Sequence, residues 1–340
     1  MAIWYKPPKG VKITADIVFI HGLTGGRDST WTAEGAKEPW PKLFLKDEND
    51  DEDDEDEKGS GYPLKTARIM SWGYDADIVK LVKPAGQNRV MDHARNLLGA
   101  LEDVREGSAA SRPLIFVAHS LGGLVVKAAL LRAVSSPEPG FKKVFECTQG
   151  IAFLGTPHYG SDKADFAHLL LNWVSLFRPT DKDIVGVLER ESEVNTNIRD
   201  EFFEMLRATK LAHKEPSILV CFYEEKPMSV AGKTFFVVTK DSAKLGGYKQ
   251  RGISGDHSSM TKFASKNDAG YKSVAAAIKR WMPTKAIAVK PSAGMAAEAA
   301  EKRKANATHG GVVQKGASVG GSISTGGGSV SMNTTNNMRS

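Results

Sequence analysis

The chain has 340 residues, is 41% hydrophobic, carries a formal net charge of +6 and contains two cysteines. That length and apolar content are enough for one ample core of about 270 residues. The composition excludes a disulfide framework, and no run of 18 apolar residues exists to form a spanning helix. Cys147 and Cys221 fall on or near buried-type elements, and the opening MAIWYKPPKG lacks the apolar run of a signal peptide. A reducing, cytoplasmic setting is the expectation.

The first clear element is Ala15–Ile20 (ADIVFI), a buried-type strand that breaks into His21-Gly22-Leu23-Thr24-Gly25-Gly26. A glycine-rich loop after an early strand can supply one oxyanion-hole N–H, and here Leu23 would donate it through its backbone. The other use of a glycine-rich turn is to cradle phosphate. GLTGGRDST has neither the G-x-G-x-x-G order nor a Gly-Lys-Ser/Thr triplet. Gly232-Lys233-Thr234 is no P-loop either, because position 227 is Pro and the triplet leads into a strand.

Asp47–Glu57 (DENDDEDDEDE) holds ten acids in eleven residues, between Lys46 and Lys58. Such a block repels itself and stays solvated, so 47–58 is expected to be a disordered surface insert. A calcium loop would need a glycine that this repeat lacks. Taking those ten from the 40 acids leaves 30 against 46 basic residues, an excess of +16. That excess favours anionic membrane surfaces or the insert itself. It is diffuse, with no aromatic-interleaved basic patch, so nucleic acid is not an expected partner.

Beyond a strand at Arg68–Ser71 and a helical pattern over Asn88–Val104 that carries His93, Leu114–Ala118 is an apolar, β-prone run. It leads through His119 and Ser120 into Leu121–Val134, which has the composition of a helix. A serine hydroxyl is a poor nucleophile unless it is held clear of the backbone beside a base. A nucleophile elbow does this by straining the serine backbone, which requires very small residues two before and two after it. Ala118 and Gly122 occupy those positions, and Gly123 leaves room for close helix–strand packing. Alanine stands where the usual pattern has glycine. Leu121, the residue after the nucleophile, would supply the second oxyanion N–H.

The strand Ile151–Leu154 runs into GTPHYG, where His158 is placed to shape a pocket. Residues 161–215 depart from a minimal strand–helix repeat. Ala164–Phe177 is apolar enough for a cap helix lining an acyl pocket, and Val187–Lys210 suggests one or two more polar helices. His168 and His213 lie in this insert.

Ser217–Tyr223 (SILVCFY) is the next strand, and Glu224 is the first residue past it. A carboxylate there can orient an imidazole and stabilise its cation. Glu225 would face the other way along the pleat, Asp241 after the strand Thr234–Thr239 (TFFVVT) is a lesser candidate, and Asp256 adjoins the base. Among eight histidines, only His257 in ISGDHSSM follows the late strand and precedes the final helix, the position chain order gives the general base.

After Trp281-Met282-Pro283 the composition changes. Residues 284–309 suggest a linker, and 310–340 are a Gly/Ser/Thr/Asn low-complexity tail. Gly-Ala-Ser-Val-Gly-Gly-Ser-Ile-Ser-Thr and Gly-Gly-Ser-Val-Ser alternate β-branched and small polar residues, with little charge and no proline, as cross-β stacking favours.

HGLTGGRDSTWT, ARIMSWGYDAD, DHARNLL, RPLIFVAHSLGGLVVKAAL, GIAFLGTPHYGS, CFYEE, VVTKDSAKLGG and DHSSMTKFAS, in that order over residues 15–282, resemble the lipase-like serine esterases. These include the "serine active site containing" proteins and the hydrolase domains of fungal NACHT/NB-ARC NLR-like proteins. The resemblance implies an α/β-hydrolase fold over 1–283, a mostly parallel sheet with helices on both faces and a helical cap insert. It also implies Ser120 as nucleophile, His257 as base and Glu224, the first glutamate of FYEE, as acid. In fungal receptors such a domain precedes an NTPase and a repeat array. This chain has no P-loop and no period of 20–50 residues.

The expected function is therefore hydrolysis of a carboxylic ester, lipid-like in its acyl part, with no metal or organic cofactor. The alternative is an effector in NLR-type signalling: an interaction module with a hydrolase fold and little turnover. The expected partners are an ester or lipid substrate, a membrane touched peripherally, and an NLR-like partner or further copies of the chain recruited through an amyloid signalling motif at 310–340.

Overall fold

A computed structural model describes residues 1–23, 25–47, 63–74, 89–158, 197–208, 218–230 and 232–284. Most of the acidic block, the cap segment 161–196 and the tail 285–340 lie outside the described residues. Asp47, placed in the acidic insert by the sequence, instead ends a short 3-10 turn, Leu45–Asp47.

The strands are β1 Ala2–Tyr5, β2 Ala15–Ile20, β3 Ala67–Trp72, β4 Leu114–His119, β5 Thr148–Leu154, β6 Leu219–Glu224, β7 Met228–Val230, β8 Lys233–Phe235 and β9 Lys249–Ile253. Seven of them form one sheet in the order β1-β3-β2-β4-β5-β6-β9. Every pairing is parallel except that of β1 with β3. A parallel sheet must be covered on both faces, so its inner strands are apolar almost throughout. β2, β3 and β4 are buried at every position.

Strand alternation sorts the core into two layers. Val18, Ile20, Leu114, Phe116, Ala118, Phe153 and Leu219 meet the helices α2 (Arg89–Val104), α3 (Leu121–Ser135) and α4 (Pro139–Cys147). The helix at 197–208, α5, buries Ile198, Phe202, Met205 and Leu206 in that same layer. Ile17, Phe19, Ile115, Val117, Ala152, Val220 and Phe222 face the opposite layer, with α1 (Trp40–Phe44) and α6 (Ala269–Trp281). There Phe19, Trp31, Trp40, Phe263 and Tyr271 pack edge-to-face and tilted, at centroid distances of 5.0–6.4 Å. Such pairs add about 0.5–1.5 kcal/mol each beyond their area. This arrangement, with its sharp β4–α3 turn, is the α/β-hydrolase fold.

At the N-terminal edge of the sheet, buried Asp16 on β2 is paired with Arg68, Arg105 and Arg112. Removing that carboxylate would strand three guanidinium groups, so the cluster stabilises the end opposite the site only while it is complete.

The sequence reading and the structure differ most at one expected strand. Thr234–Thr239 was expected to be a sheet strand, but only Lys233–Phe235 is extended, in a two-stranded hairpin with β7. Val237 and Val238 are buried without joining a ladder, because the Val238 N–H is donated to the Glu224 side chain instead. The last strand of the central sheet is β9, a polar edge strand. Among the described residues no helix is long and apolar enough to cross a membrane. Both cysteines are buried and free.

Candidate active site

The chemistry-bearing residues gather at the C-terminal ends of the parallel strands, where open α/β sheets bind their ligands. Ser120 joins β4 to α3 with φ +52°, the one non-glycine with positive φ among the described residues. Holding a non-glycine residue there costs about 1–3 kcal/mol, which the surroundings must offset. The Ser120 N–H is donated to the Leu154 carbonyl at 2.9 Å, tying the turn to β5.

The small neighbours are needed for a measurable reason. A Cβ on Gly122 would lie 2.4 Å from the His21 carbonyl oxygen, and one on Gly123 would lie 2.2 Å from Thr156 Oγ1. Ala118 is fully buried, in register with Ile20 and Phe153, so its methyl group is accommodated.

Ser120 Oγ lies 3.0 Å from His257 Nε2. His257 is fully buried on the loop after β9, and Gly155, with φ +55°, leaves room for its ring. A Cβ at Gly155 would come within 3.0 Å of two imidazole atoms. On the far side His257 Nδ1 is 3.2 Å from Glu224 Oε2, an ion-pair distance outside good hydrogen-bond alignment. Glu224 is the last residue of β6 rather than the first beyond it, and its Oε1 accepts from Val238 N–H at 2.8 Å.

Burial dominates the electrostatics of this pair. It lowers the His257 pKa to about 3, opposed by Asp256, and raises that of Glu224 to about 8, opposed by the Val238 and Val237 N–H groups. Neither group tolerates an isolated charge. A neutral His257 therefore presents a free-base Nε2 to Ser120 Oγ.

Leu121 is the first residue of α3, so its N–H has no intrahelical acceptor. Gly22 presses against Ser120: a Cβ on it would lie 2.6 Å from Ser120 Cβ. Leu121 follows the serine directly and Leu23 follows Gly22, and both leucine side chains are buried.

The sequence did not reveal what holds the Gly22–Leu23 turn. His21 Nδ1 contacts the Gly22 carbonyl at 2.9 Å, Tyr74 N–H is donated to His21 Nε2 at 3.2 Å, and Tyr74 Oη–H to the His21 carbonyl at 3.1 Å. The two rings stack at 4.5 Å. Because Nε2 accepts, Nδ1 carries the proton and donates to Gly22. The SWGYDAD motif held this tyrosine, but nothing in its spacing paired it with a loop some fifty positions earlier.

The competing carboxylates are elsewhere. Asp241 is exposed and meets Lys244, Glu225 is exposed, and Asp256 accepts from the backbone of Ser258 and Ser259. His93 contacts Tyr74 and Trp72. His158 is buried beside Cys221, at 3.4 Å from its Sγ. Among the described residues no three His, Cys, Asp or Glu side chains are arranged to hold a metal ion.

Residues 93–188 match the family described as "Putative serine esterase (DUF676)". Over 237 residues, 69% of this chain, the sequence is 28% identical to Protein SERAC1 of Bos taurus and 27% identical to that of Homo sapiens. The chain spans about a third of the length of these curated relatives, 34% in each case. Similar solved structures include the RedJ thioesterase from the prodiginine pathway of Streptomyces coelicolor, 14% identical with a TM-score of 0.38 over 83% of this chain and 96% of that one. A lipase-esterase related protein from Clostridium acetobutylicum is 10% identical with a TM-score of 0.39, over 82% and 97% of the two chains.

Proposed function

We propose that this lipase-like α/β-hydrolase cleaves a carboxylic ester through an acyl-enzyme on Ser120, with a lipid-like acyl group as substrate. The observation that carries the reading is the 3.0 Å contact between Ser120 Oγ and His257 Nε2 at a backbone strained for a nucleophile. His257 takes the Ser120 proton as Oγ adds to the ester carbonyl. The Leu23 and Leu121 N–H groups receive the developing oxyanion, each contributing on the order of 10²–10³-fold. His257 then gives the proton to the leaving alcohol, and water repeats the cycle on the acyl-enzyme. Glu224 orients the imidazole and balances its charge. The apolar run Ala164–Phe177 supports an acyl pocket, and the +16 excess outside the acidic block supports contact with anionic lipid surfaces.

Turnover of p-nitrophenyl butyrate tests the reading. The wild-type chain should hydrolyse it, Ser120→Ala and His257→Ala should each abolish the reaction, and the double variant should be scarcely worse, because the pair acts as a unit. Equal turnover by wild type and Ser120→Ala would refute it. A fully folded but silent wild type would leave the hydrolase fold as an interaction module.

A further inference from the structure

His119 is the last residue of β4, immediately before the nucleophile. Alternation along β4 sends Phe116 and Ala118 to the α3 layer, and Ile115 and Val117 to the α6 layer. His119 follows the second set, toward the loop that carries His257. Its Nε2 lies 2.9 Å from the His257 backbone carbonyl, and the two rings are 4.8 Å apart. A carbonyl oxygen only accepts, so Nε2 carries the proton.

The other ring nitrogen, Nδ1, is buried with no hydrogen-bond partner among the described residues. It faces the Gly22 backbone: a Cβ on Gly22 would be 3.1 Å from it. Protonating Nδ1 would bury a cation with nothing to receive its hydrogen, beside the imidazole that becomes charged in catalysis. Burial and the proximity of His257 both hold His119 well below the ordinary imidazole pKa.

We propose that His119 is a positioning residue whose Nε2–H locks the His257 backbone to the strand that carries the nucleophile. Adjacent residues of β4 then fix both sides of the proton transfer. Ser120 presents Oγ, and His119 sets how far away the base loop stands. The same ring lies under the Gly22–Leu23 turn, so one side chain touches all three parts of the site. This inference rests on Ser120 and His257 acting as nucleophile and base.

The test compares His119→Leu, which removes the donor, with His119→Gln, whose terminal amide reaches as far as Nε2 and still donates. With p-nitrophenyl butyrate, His119→Leu should lower kcat about 10²-fold, the effect of a misplacement of about 1 Å, with KM changed less than about threefold. His119→Gln should recover most of that loss, and both variants should melt within a few degrees of wild type. A Leu variant that keeps wild-type kcat, or a Gln variant no better than Leu, would overturn the proposal. Nitrogen NMR of the wild-type ring gives a readout independent of turnover. It should show His119 protonated at Nε2 and bare at Nδ1 between about pH 5 and 9, where a free imidazole would titrate. The opposite tautomer or a titrating ring would refute the lock even if the chain proved to have no esterase activity, and a wild-type chain that shows the expected tautomer but no turnover would refute only the catalytic reading.

Discussion

At the scale of single residues, the site turns on how burial weights charge. Burial drives His257 toward the neutral imidazole and Glu224 toward the neutral carboxyl, so an imidazolium at this position needs a carboxylate beside it. Glu224→Gln keeps the shape and removes the balancing charge. It should lower kcat, yet by one to two orders of magnitude less than Ser120→Ala, about the gap seen when the acid of a triad is removed instead of the nucleophile. The sign of the pH effect follows. Because burial holds the Glu224 carboxyl up near 8, activity that needs its carboxylate should rise as pH rises through about 8, and the Gln variant should lack that limb. A limb near pH 8 that survives in the variant, or full activity in it, would remove Glu224 from the acid role.

Lys127 on α3 shows the same physics. It is fully buried on α3, with a 3.5 Å bond to the Pro157 carbonyl and the Phe153 and Phe202 rings at 5.6 and 6.0 Å. Burial lowers its pKa to about 7, with Cys221 opposing and Arg199 adding to the shift. A lysine whose folded pKa is depressed costs most stability below that pKa, and the cost fades as pH rises toward the unfolded value near 10.4. Lys127→Met should therefore raise the melting temperature, and by more at pH 6 than at pH 9. A variant that is destabilised equally at both values would show that the ammonium is needed where it stands.

At the scale of elements, what the sequence made legible were the pieces that burial writes plainly. β2, β4 and the core of β6 are continuous apolar runs because helices cover both faces of the sheet. The elbow was visible because only small residues fit its contacts, and His257 because chain order left one histidine in place. The edges were not legible. β1 is a short antiparallel edge strand, and β9 (KQRGI) is a polar edge, so neither carries a periodic signal. Val237 and Val238 misled in the other direction, since their side chains are buried in the α3 layer while the Val238 N–H goes to Glu224 and not to a ladder. The His21–Tyr74 and His119–His257 contacts join distant segments and leave no local trace. The elbow geometry gives its own check. Gly123→Ala puts a methyl group 2.2 Å from Thr156 Oγ1, within a layer packed on both sides. It should cost about 1–3 kcal/mol of stability and most of the activity, as overpacking at a strained turn does. Pairing it with Thr156→Ser, which removes a methyl group Gly123 would otherwise meet at 2.4 Å, should recover part of the stability. No recovery would place the strain elsewhere.

At the scale of the whole molecule, every group assigned to catalysis lies within residues 21–257, in a compact unit that spans Met1–Ala286. Removing 285–340 should therefore leave kcat and KM for a soluble ester unchanged. If the tail governs clustering, its loss should show only in assembly or in activity on lipid vesicles; a truncated chain with no turnover in solution would make the tail part of the catalytic fold. The central claim is that His257 activates Ser120. A fluorophosphonate reacts with a serine oxygen only when a neighbouring base and an oxyanion pocket assist it. The measurement is mass mapping of the adduct after labelling the full chain, with the His257→Ala variant alongside. The account expects one phosphonylated peptide, modified at Ser120, and no adduct in the variant. An adduct on another serine, or labelling of Ser120 that survives loss of His257, would contradict it.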